Sequence, residues 1–403
     1  MATLALLGGQ PVRTRPFPPW PEFGAPEEET LVGVLRSGHW GRTTGSWNQE
    51  FERRFAAYQH AARAVTCVNG TVALELALRA AGIGPNDEVI VPSYTFIATA
   101  SAALHLGAVP VFADIEPTTY TISVDSAADL ASARTRAIVP VHLAGAPADM
   151  DGILILARER GLVVIEDAAQ AHGAEWQGQR VGAIGALGAF SFQATKVLTA
   201  GEGGAVVTND TTLAEAVWSL QNVGRIPGGD WYEHHRLGWN LRMTEFQAAL
   251  LLAQMDRLDE QIARRARNAA ALDAVLREIE GVEPLTYPSQ ITRHPRYLYV
   301  FRYRSQAFGG LPKSRFVEAL VAEGIPAMPG YPPLHSMSVI NEALASRGVP
   351  LRAGRNGALP ATERAWKDEA VWLPQTVLLG THEDVADVGR AVRKIAAHHQ
   401  ELR

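Results

Sequence analysis

The sequence has very little cysteine and no long hydrophobic run, and each absence excludes a class of protein. Its one cysteine, Cys67, excludes an internal disulfide and a cysteine metal cluster. Cys67 lies in RAVTCVNG, a β-like segment, so we expect a buried, unreactive side chain and a reducing compartment. No segment approaches the roughly 18 apolar residues that span a bilayer. The N-terminal MATLALLGGQ lacks the basic residues of a signal peptide, and we expect a cytoplasmic protein.

The chain also lacks a large excess of charge of either sign. It has 37 Lys and Arg against 42 Asp and Glu, which gives a net charge of −5. A mixed surface of this kind offers no electrostatic footprint for nucleic acid or an anionic membrane, so we expect neither as a partner. Hydrophobic residues make up 47% and charged residues 20%, which is ordinary for a soluble globular protein.

Two patterns that resemble known motifs fail on their context. The histidine pairs at 234–235 and 398–399 suggest a metal, but adjacent histidines seldom converge on one ion. We therefore predict no metal site. The glycines of VGAIGALGAF (181–190) are followed by a strand-like run, whereas a dinucleotide-binding loop leads into a helix.

What the sequence does contain, from about residue 60, is an alternation of strand-like and helix-like segments. Short runs rich in β-branched residues, such as EVIVP, AIVPVHL and LVVIED, are separated by segments such as TVALELALRAAG that are typical of helices. This alternation predicts an α/β fold in which parallel strands are joined by helical crossovers and buried on both faces.

The domain organisation follows from changes in composition along the chain. Residues 1–25 are rich in proline and predict an extended arm, and 26–245 carry the large α/β domain. A long connecting helix is predicted over 246–281, with Thr244 and Gln247 as a capping box and a glycine at its end. Residues 282–403 mix strand-like and helical segments and predict a smaller α+β domain.

The polar residues that follow the predicted strands define a candidate site, because ligands bind beyond the carboxyl ends of parallel strands. Gly70 and Thr71 open a helix and suit an anion such as phosphate, or form an ordinary cap. Taken singly, Asp167 can cap a helix or pair with an arginine, and Phe96 can belong to the core. The other residues after strands are His142, Gln170 and Ser191.

Lys196 is the residue that needs an explanation. Its neighbours are small or apolar, and burying an unpaired ammonium is costly. Pyridoxal phosphate needs a lysine for a Schiff base, a carboxylate at its ring nitrogen, a phosphate cradle and a flat apolar partner. Lys196, Asp167, the Gly70–Thr71 helix start and Phe96 match those needs, and a displaced lysine becomes a general base. Glu202, in the adjacent GEGG, has no role that the sequence reveals.

Three segments carry a resemblance to a known family: IEDAAQAHGA, FSFQATKVLTAGEGGAVVT and LGWNLRMTEFQAA, in that order. They resemble the DegT/DnrJ/EryC1/StrS aminotransferase family, fold type I pyridoxal phosphate enzymes that make amino sugars, aminocyclitols and related secondary metabolites, antibiotics included. The resemblance extends from SGHWGRTTG (37–45) to YPPLH (331–335). It implies a large three-layer domain with a mostly parallel sheet and a smaller C-terminal α+β domain.

The resemblance also implies residue roles and a homodimer that shares its active sites. Lys196 matches the Schiff-base lysine, Asp167 the partner of the pyridinium, Gln170 a contact of the cofactor hydroxyl and Phe96 the stacking ring. Gly70, Thr71 and Ser191 match phosphate ligands, and Asn240 matches a residue that reaches the phosphate of the neighbouring subunit. The resemblance also suggests Tyr331 and His335 as substrate contacts. From the sequence alone, His142 at a strand end is a substrate contact or a core histidine, and Arg225 and Tyr232 flank a glycine-rich loop that can shape the pocket.

Two departures from the family pattern bear on the substrate. Many members that act on nucleotide sugars have histidine where this chain has Gln193. A glutamine at this position resembles the pattern of the branch that acts on keto-cyclitols and in aminohydroxybenzoate synthesis. Ala144 replaces a bulky residue, and we expect it to widen the substrate pocket.

The leading hypothesis is a pyridoxal-phosphate-dependent aminotransferase that moves an amino group from L-glutamate or L-glutamine to a keto-cyclitol or keto-sugar. One alternative is an enzyme like aminohydroxybenzoate synthase, in which amination is followed by an aromatising dehydration. Another is a regulatory protein that binds the cofactor without turnover, which would show a broken catalytic set.

Overall fold

The computed structural model of the protein describes residues 3–402. The helices are α1 (Ala25–Ser37), α2 (Trp47–Tyr58), α3 (Gly70–Ala80), α4 (Ala98–His105), α5 (Val124–Leu130), α6 (Met150–Arg160), α7 (Thr211–Gln221), α8 (Glu245–Leu276), α9 (Lys313–Ala322), α10 (Ser338–Ala345), α11 (Pro360–Arg364) and α12 (His382–His398). The strands are β1 (Arg63–Cys67), β2 (Glu88–Pro92), β3 (Val109–Ala113), β4 (Thr135–Ile138), β5 (Val163–Asp167), β6 (Glu175–Trp176), β7 (Gln179–Arg180), β8 (Leu187–Ser191), β9 (Gly204–Thr208), β10 (Val282–Pro284), β11 (Ile291–Arg293), β12 (Leu298–Tyr303) and β13 (Ala370–Pro374).

A seven-stranded sheet of order β1-β9-β8-β5-β4-β2-β3 forms the centre of the molecule. Its strands are parallel except β9, which pairs antiparallel with both β1 and β8. Successive side chains of β2 point to opposite faces: Val89 and Val91 pack with α3 and α4, whereas Ile90 packs with α2 and α6. Helices on both faces bury the sheet, which confirms the predicted three-layer α/β architecture.

Helix α8 is the longest helix described, with 32 residues. Thr244 caps it as the sequence predicts, because its N–H and hydroxyl both donate to Gln247 Oε1, at 3.0 and 2.8 Å. The helix ends at Leu276, short of the predicted end at 281. Leu251 packs in the core of the large sheet and Leu272 in a separate C-terminal core, so one helix contributes to both.

The C-terminal core lies beside a three-stranded antiparallel sheet of order β10-β12-β13 and includes α9 and α12. This is the predicted α+β unit. Two segments pack outside their predicted domain: Leu4 of the arm lies in the C-terminal core, and Leu334, Ile340 and Leu344 pack against the large sheet. The boundaries at 25, 245 and 281 stay an interpretation of the sequence.

Three further findings concern membrane spans, metal sites and the single cysteine. Within residues 3–402, no helix combines the length and apolarity that crossing a membrane requires. Nor does that part of the chain bring three or more His, Cys, Asp or Glu side chains together as a metal site would. Cys67 is fully buried at the end of β1, and burial raises the pKa of its thiol to about 12.

Candidate functional site

A cavity of about 460 Å³ opens at the carboxyl ends of β1, β2, β5 and β8. This is the edge at which a parallel sheet binds ligands. The cavity brings together eight of the thirteen residues predicted from the sequence, all of which line it: Gly70, Thr71, Phe96, Asp167, Gln170, Ser191, Lys196 and Tyr331.

The start of α3 forms one wall of the cavity. Asn69 caps the helix, with its Oδ1 accepting from Val72 N at 2.9 Å, and Gly70 and Thr71 follow as the first helical residues. Gly70 is required by its surroundings, because a Cβ atom there would lie 2.5 Å from Cβ of Ser191. The missing side chain thus lets a helix N-terminus and two hydroxyl side chains converge, which is a suitable donor set for a phosphate.

Asp167 ends β5 and is almost fully buried in the cavity wall. Its Oδ2 accepts from Thr99 Oγ1 at 2.8 Å and its Oδ1 from Ala169 N at 3.2 Å. Burial raises the pKa of the carboxyl group, while these hydrogen bonds and the nearby Lys196 ammonium lower it. A cationic N–H in the cavity would favour the ionised form further.

Lys196 lies on the turn between β8 and β9 and is half-buried in the same cavity as Asp167. Its Nζ lies 4.3 Å from the ring centroid of Tyr297, a cation–π contact with an aromatic residue that also lines the cavity. The lysine and the carboxylate therefore face one space, as the sequence hypothesis required.

The remaining walls come from aromatic and amide side chains. Phe96 is 53% exposed in the loop after β2, so it belongs to the cavity rather than to the core. Its ring centroid lies 6.2 Å from that of Tyr331. Gln170 is buried and accepts from Ala144 N at 2.7 Å. Ala144 itself does not line the cavity, so the expectation that it widens the pocket is wrong; its backbone N–H orients Gln170 instead.

His142 does not contact the cavity, which corrects its prediction as a substrate contact. The ring is fully buried, with Nε2 2.9 Å from Glu166 Oε2 and Nδ1 accepting from Ala148 N at 3.1 Å. The same Glu166 carboxylate accepts from the backbone N–H groups of Gly182 and Gly185, both at 2.6 Å. The glycine-rich segment therefore wraps a buried carboxylate, and His142 belongs to that structural network.

Four other predicted residues lie outside the cavity. His335 contacts Ser93 Oγ through its Nδ1 at 2.7 Å and does not line the cavity. Arg225 stacks on Trp231 and lines a different cavity, and Tyr232 is 87% exposed on the same loop. Asn240 is exposed and pairs through its backbone with Asn222. Within a single chain, none of the four reaches the space in front of Lys196.

Several residues of the site were not predicted from the sequence. Thr99, which bonds Asp167, lies three residues after Phe96 in TFIAT, so a hydroxyl following a strand was the available signal. Tyr297 lines the cavity from a part of the chain 101 residues after Lys196 and carried no local signal. Glu202, for which no role was found, also lines the cavity.

Comparison with known proteins gives consistent matches over nearly the whole chain. The sequence model of the DegT/DnrJ/EryC1/StrS aminotransferase family matches residues 21–393. A protein of Streptoalloteichus tenebrarius provisionally named L-glutamine:3-amino-2,3-dideoxy-scyllo-inosose aminotransferase is 40% identical, with 99% of each chain covered. The L-glutamine:2-deoxy-scyllo-inosose aminotransferase of the same organism is also 40% identical, with 99% of each chain covered. The crystal structure of 3-amino-5-hydroxybenzoic acid synthase superposes with a TM-score of 0.87 at 37% identity, covering 96% of this chain and 99% of that one.

Proposed function

The chain belongs to the DegT/DnrJ/EryC1/StrS aminotransferase family, and from that premise we propose that it binds pyridoxal phosphate and transfers an amino group from L-glutamine to a keto-cyclitol. The family and the fold inferred from the sequence are confirmed, and the protein is an aminotransferase. The cofactor, the residue roles and the acceptor are what we propose.

One observation carries the proposal: a lysine, a buried carboxylate and a helix N-terminus with a close-packed glycine face a single cavity. These residues suit each chemical group of the cofactor in turn. The α3 N-terminus with Thr71 and Ser191 suits the phosphate, Asp167 suits the ring nitrogen and Phe96 suits the ring face. When bound, pyridoxal phosphate supplies an electron sink that stabilises negative charge at the carbon next to the amine.

In the proposed reaction, each of these residues has a separate role. Lys196 would hold the cofactor through its amine and would act as the base that moves the proton at the reacting carbon. Asp167 would pair with the ring nitrogen and keep it protonated, and Thr99 orients that carboxylate through their 2.8 Å bond. Burial raises the pKa of the Tyr331 hydroxyl, so this wall of the cavity stays uncharged and can donate a hydrogen bond.

Gly70→Ala tests the phosphate cradle. The new Cβ would meet Ser191 at 2.5 Å, and its 3.2 Å approach to the backbone of Ser191 leaves little room for adjustment. We expect affinity for pyridoxal phosphate, measured by titrating the cofactor-free protein, to fall by about 10- to 100-fold, equivalent to roughly 1.4–3 kcal/mol. Gly84→Ala is the matched control, because nothing lies within 4 Å of its Cβ position. Equal affinities in the two variants would contradict the cradle.

We also propose a homodimer in which Asn240 of the partner subunit completes the site. Lys196 is the only basic residue among the described residues that line the cavity, yet the proposed ligands carry a phosphate and a carboxylate. The segment that leads to Asn240 exposes large apolar side chains, such as Trp231 at 55% and Leu237 at 83%. Exposed apolar surface of this kind is typical of an interface. Arg225 and Tyr232 lie on the same segment and would reach a substrate only in the cavity of the partner subunit, across the proposed interface.

The choice of a cyclitol acceptor rests on the relatives and on Gln193. Both aminotransferases described above are named for inosose acceptors and for L-glutamine as donor. The runner-up is an aminohydroxybenzoate synthase activity, favoured by the structural match to that enzyme. A regulatory protein without turnover is disfavoured, because lysine, carboxylate and cradle are all present.

An isotope experiment tests the proposed reaction. The purified protein, loaded with pyridoxal phosphate, is incubated with L-glutamine labelled with heavy nitrogen at the α-amino group or at the amide. The acceptors are 2-deoxy-scyllo-inosose, 3-amino-2,3-dideoxy-scyllo-inosose, a keto-sugar nucleotide and an aminoshikimate-type ketone. We expect label from the α-amino group alone in a cyclitol amine, with kcat/KM at least about 100-fold above that for the sugar nucleotide.

The other products have distinct meanings. An aromatic amine from the aminoshikimate-type ketone would support the runner-up. Amination of the sugar nucleotide alone would overturn the cyclitol assignment while leaving the transaminase chemistry in place. Label from the amide nitrogen would contradict direct transamination.

A further inference from the structure

The turn that carries Lys196 is held by hydrogen bonds of its own. The Lys196 N–H donates to the carbonyl of Gln193 at 2.9 Å. The Gln193 side-chain oxygen accepts from the N–H and the hydroxyl of Thr195, at 2.9 and 2.8 Å. These bonds do not use the carbonyl groups of Ala194 and Thr195, the two residues just before the lysine. Both carbonyl groups accept from side chains of remote segments.

The first donor is Trp20 of the N-terminal arm, whose Nε1–H donates to the carbonyl of Ala194 at 3.0 Å. The arm is fixed on α8 beside this contact. The carbonyl of Glu22 accepts from Gln254 Nε2 at 3.0 Å and from Arg257 Nη2 at 2.8 Å. The indole is therefore docked against the turn by backbone and side-chain bonds to a long helix.

Arg265 of α8 accounts for an aromatic side chain at position 20. Its side chain is fully buried, and none of its three nitrogen atoms has a hydrogen-bond partner within the described chain. The guanidinium lies 5.4 Å from the Trp20 ring centroid, so the indole face supplies a cation–π contact to a charge that is otherwise poorly solvated. Burial lowers the pKa of Arg265 to about 9. Trp20 is thus held from one side by a cation and bonds the lysine turn from the other.

The second donor is Gln375, the residue after β13. It is buried, and its Nε2 donates to the carbonyl of Thr195 at 2.6 Å. Tyr297, just before β12, adds a bond between its hydroxyl and Thr195 Oγ1 at 2.8 Å. Residues next to the strands of the C-terminal sheet therefore hydrogen-bond both the backbone and the side chain of Thr195, the residue immediately before Lys196.

We infer that Trp20 and Gln375 are positioning residues, which fix the peptide groups before Lys196 and thereby direct its amine at the reacting atoms. The inference rests on the proposed role of Lys196. A lysine side chain has four rotatable bonds, so its amine is placed well only if its backbone is held. A misplacement of about 1 Å in a reacting group is enough to cost about 100-fold in rate. The alternative is that these bonds serve only the stability of the fold.

Two variants and a control separate the alternatives. Trp20→Phe keeps an aromatic face for Arg265 but removes the N–H donor, and Gln375→Leu removes the donor to Thr195. Gln59→Leu is the control, because Gln59 is equally buried and its Nε2 donates to the carbonyl of Val181 at 3.1 Å, away from the turn. Each protein is studied loaded with pyridoxal phosphate, for kcat, KM, Tm and the pH dependence of the visible absorption of the bound cofactor.

We expect all three variants to lose some thermal stability. Only Trp20→Phe and Gln375→Leu should lower kcat, by about five- to tenfold each, with KM for L-glutamine within about twofold of the wild type. Only these two should displace the pH midpoint of the visible absorption change, because that change would involve the Lys196 nitrogen, whose surroundings these bonds help to set. If Gln375→Leu does not fold, Trp20→Phe carries the same expectations alone.

The contrary outcomes are distinct. Unchanged kcat and pH midpoint in Trp20→Phe, with a lowered Tm, would overturn the inference and leave these bonds a purely structural role. A wild-type protein without a visible band on addition of pyridoxal phosphate would instead refute the proposed function itself.

Discussion

Lys196→Ala should abolish turnover, with kcat lowered by at least about a thousandfold. Under the proposed mechanism the variant loses both the amine that holds the cofactor and the base that moves the proton, and no other lysine in the described part of the chain lines the cavity. The remaining lysines, at 313, 367 and 394, do not line the cavity. We expect the visible absorption of the purified protein to change as well, because the cofactor can then be held only without a covalent bond to the protein.

Lys367→Ala is the matched control, since it removes an exposed lysine whose partner is Glu363, at 2.7 Å. It should keep wild-type kcat and the wild-type spectrum. Addition of a small primary amine such as methylamine should restore part of the lost rate to Lys196→Ala, because the free amine can occupy the vacated volume. Normal turnover in Lys196→Ala would remove the basis of the proposed mechanism.

Asp167→Asn should be the second most damaging change, lowering kcat/KM by about 10²- to 10³-fold. The amide keeps the shape of the carboxylate but cannot pair with a protonated ring nitrogen, and removing one partner of a buried charge pair costs roughly 3–5 kcal/mol. The electron sink of the cofactor is weakened, so the proton transfer at the reacting carbon should become rate-limiting. A deuterium isotope effect at the α-carbon of the donor, larger than in the wild type, is the diagnostic measurement.

Although Asp167→Asn should lower activity, we expect it to raise the stability of the cofactor-free protein. Burial raises the pKa of Asp167 in the folded state above its unfolded value. The folded protein then binds the proton more tightly, so stability falls as pH rises between the two pKa values and stays lower above them. Asn carries no such cost. We expect Asp167→Asn to raise Tm of the cofactor-free protein at neutral pH, and the gain to shrink as the pH is lowered.

Thr99→Val provides the control for Asp167, because it removes the 2.8 Å hydrogen bond but leaves the charge. Its effect on kcat/KM should be smaller, about tenfold, which is near the lower end expected for one hydrogen bond to a charged group. An Asp167→Asn variant no worse than Thr99→Val would show that the charge of Asp167 is not what the reaction uses.

The parts of the fold and site that the sequence predicted are those with a local signal. The alternation of EVIVP-like strands and helices predicted the mostly parallel sheet, and the strand ends predicted where Gly70, Asp167 and Lys196 would meet. Gly70 opens a helix, Asp167 ends β5, and Lys196 lies on the turn after β8, so knowledge of the sheet alone brings them to one edge.

The parts that the sequence did not predict depend on contacts distant in the chain. His142 and Asp167 both lie at the carboxyl end of a strand-like run in the sequence, yet His142 faces the buried Glu166 rather than the cavity, and the sequence pattern does not distinguish the two. Trp20 and Gln375 bond residues 174 and 180 positions away. The roles of Asn240, Arg225 and Tyr232 depend on a second subunit and stay predictions.

The burial of Cys67, the only cysteine in the chain, makes the protein suitable for site-specific labelling. Because the side chain is fully enclosed and burial raises the pKa of the thiol to about 12, we expect Cys67 not to react with maleimides or iodoacetamide under native conditions. Since the chain has no other cysteine, one introduced at an exposed position would be its sole point of attachment for a dye or spin label. Distances between two copies labelled in this way would test the proposed homodimer in solution, with no need to remove a native thiol first.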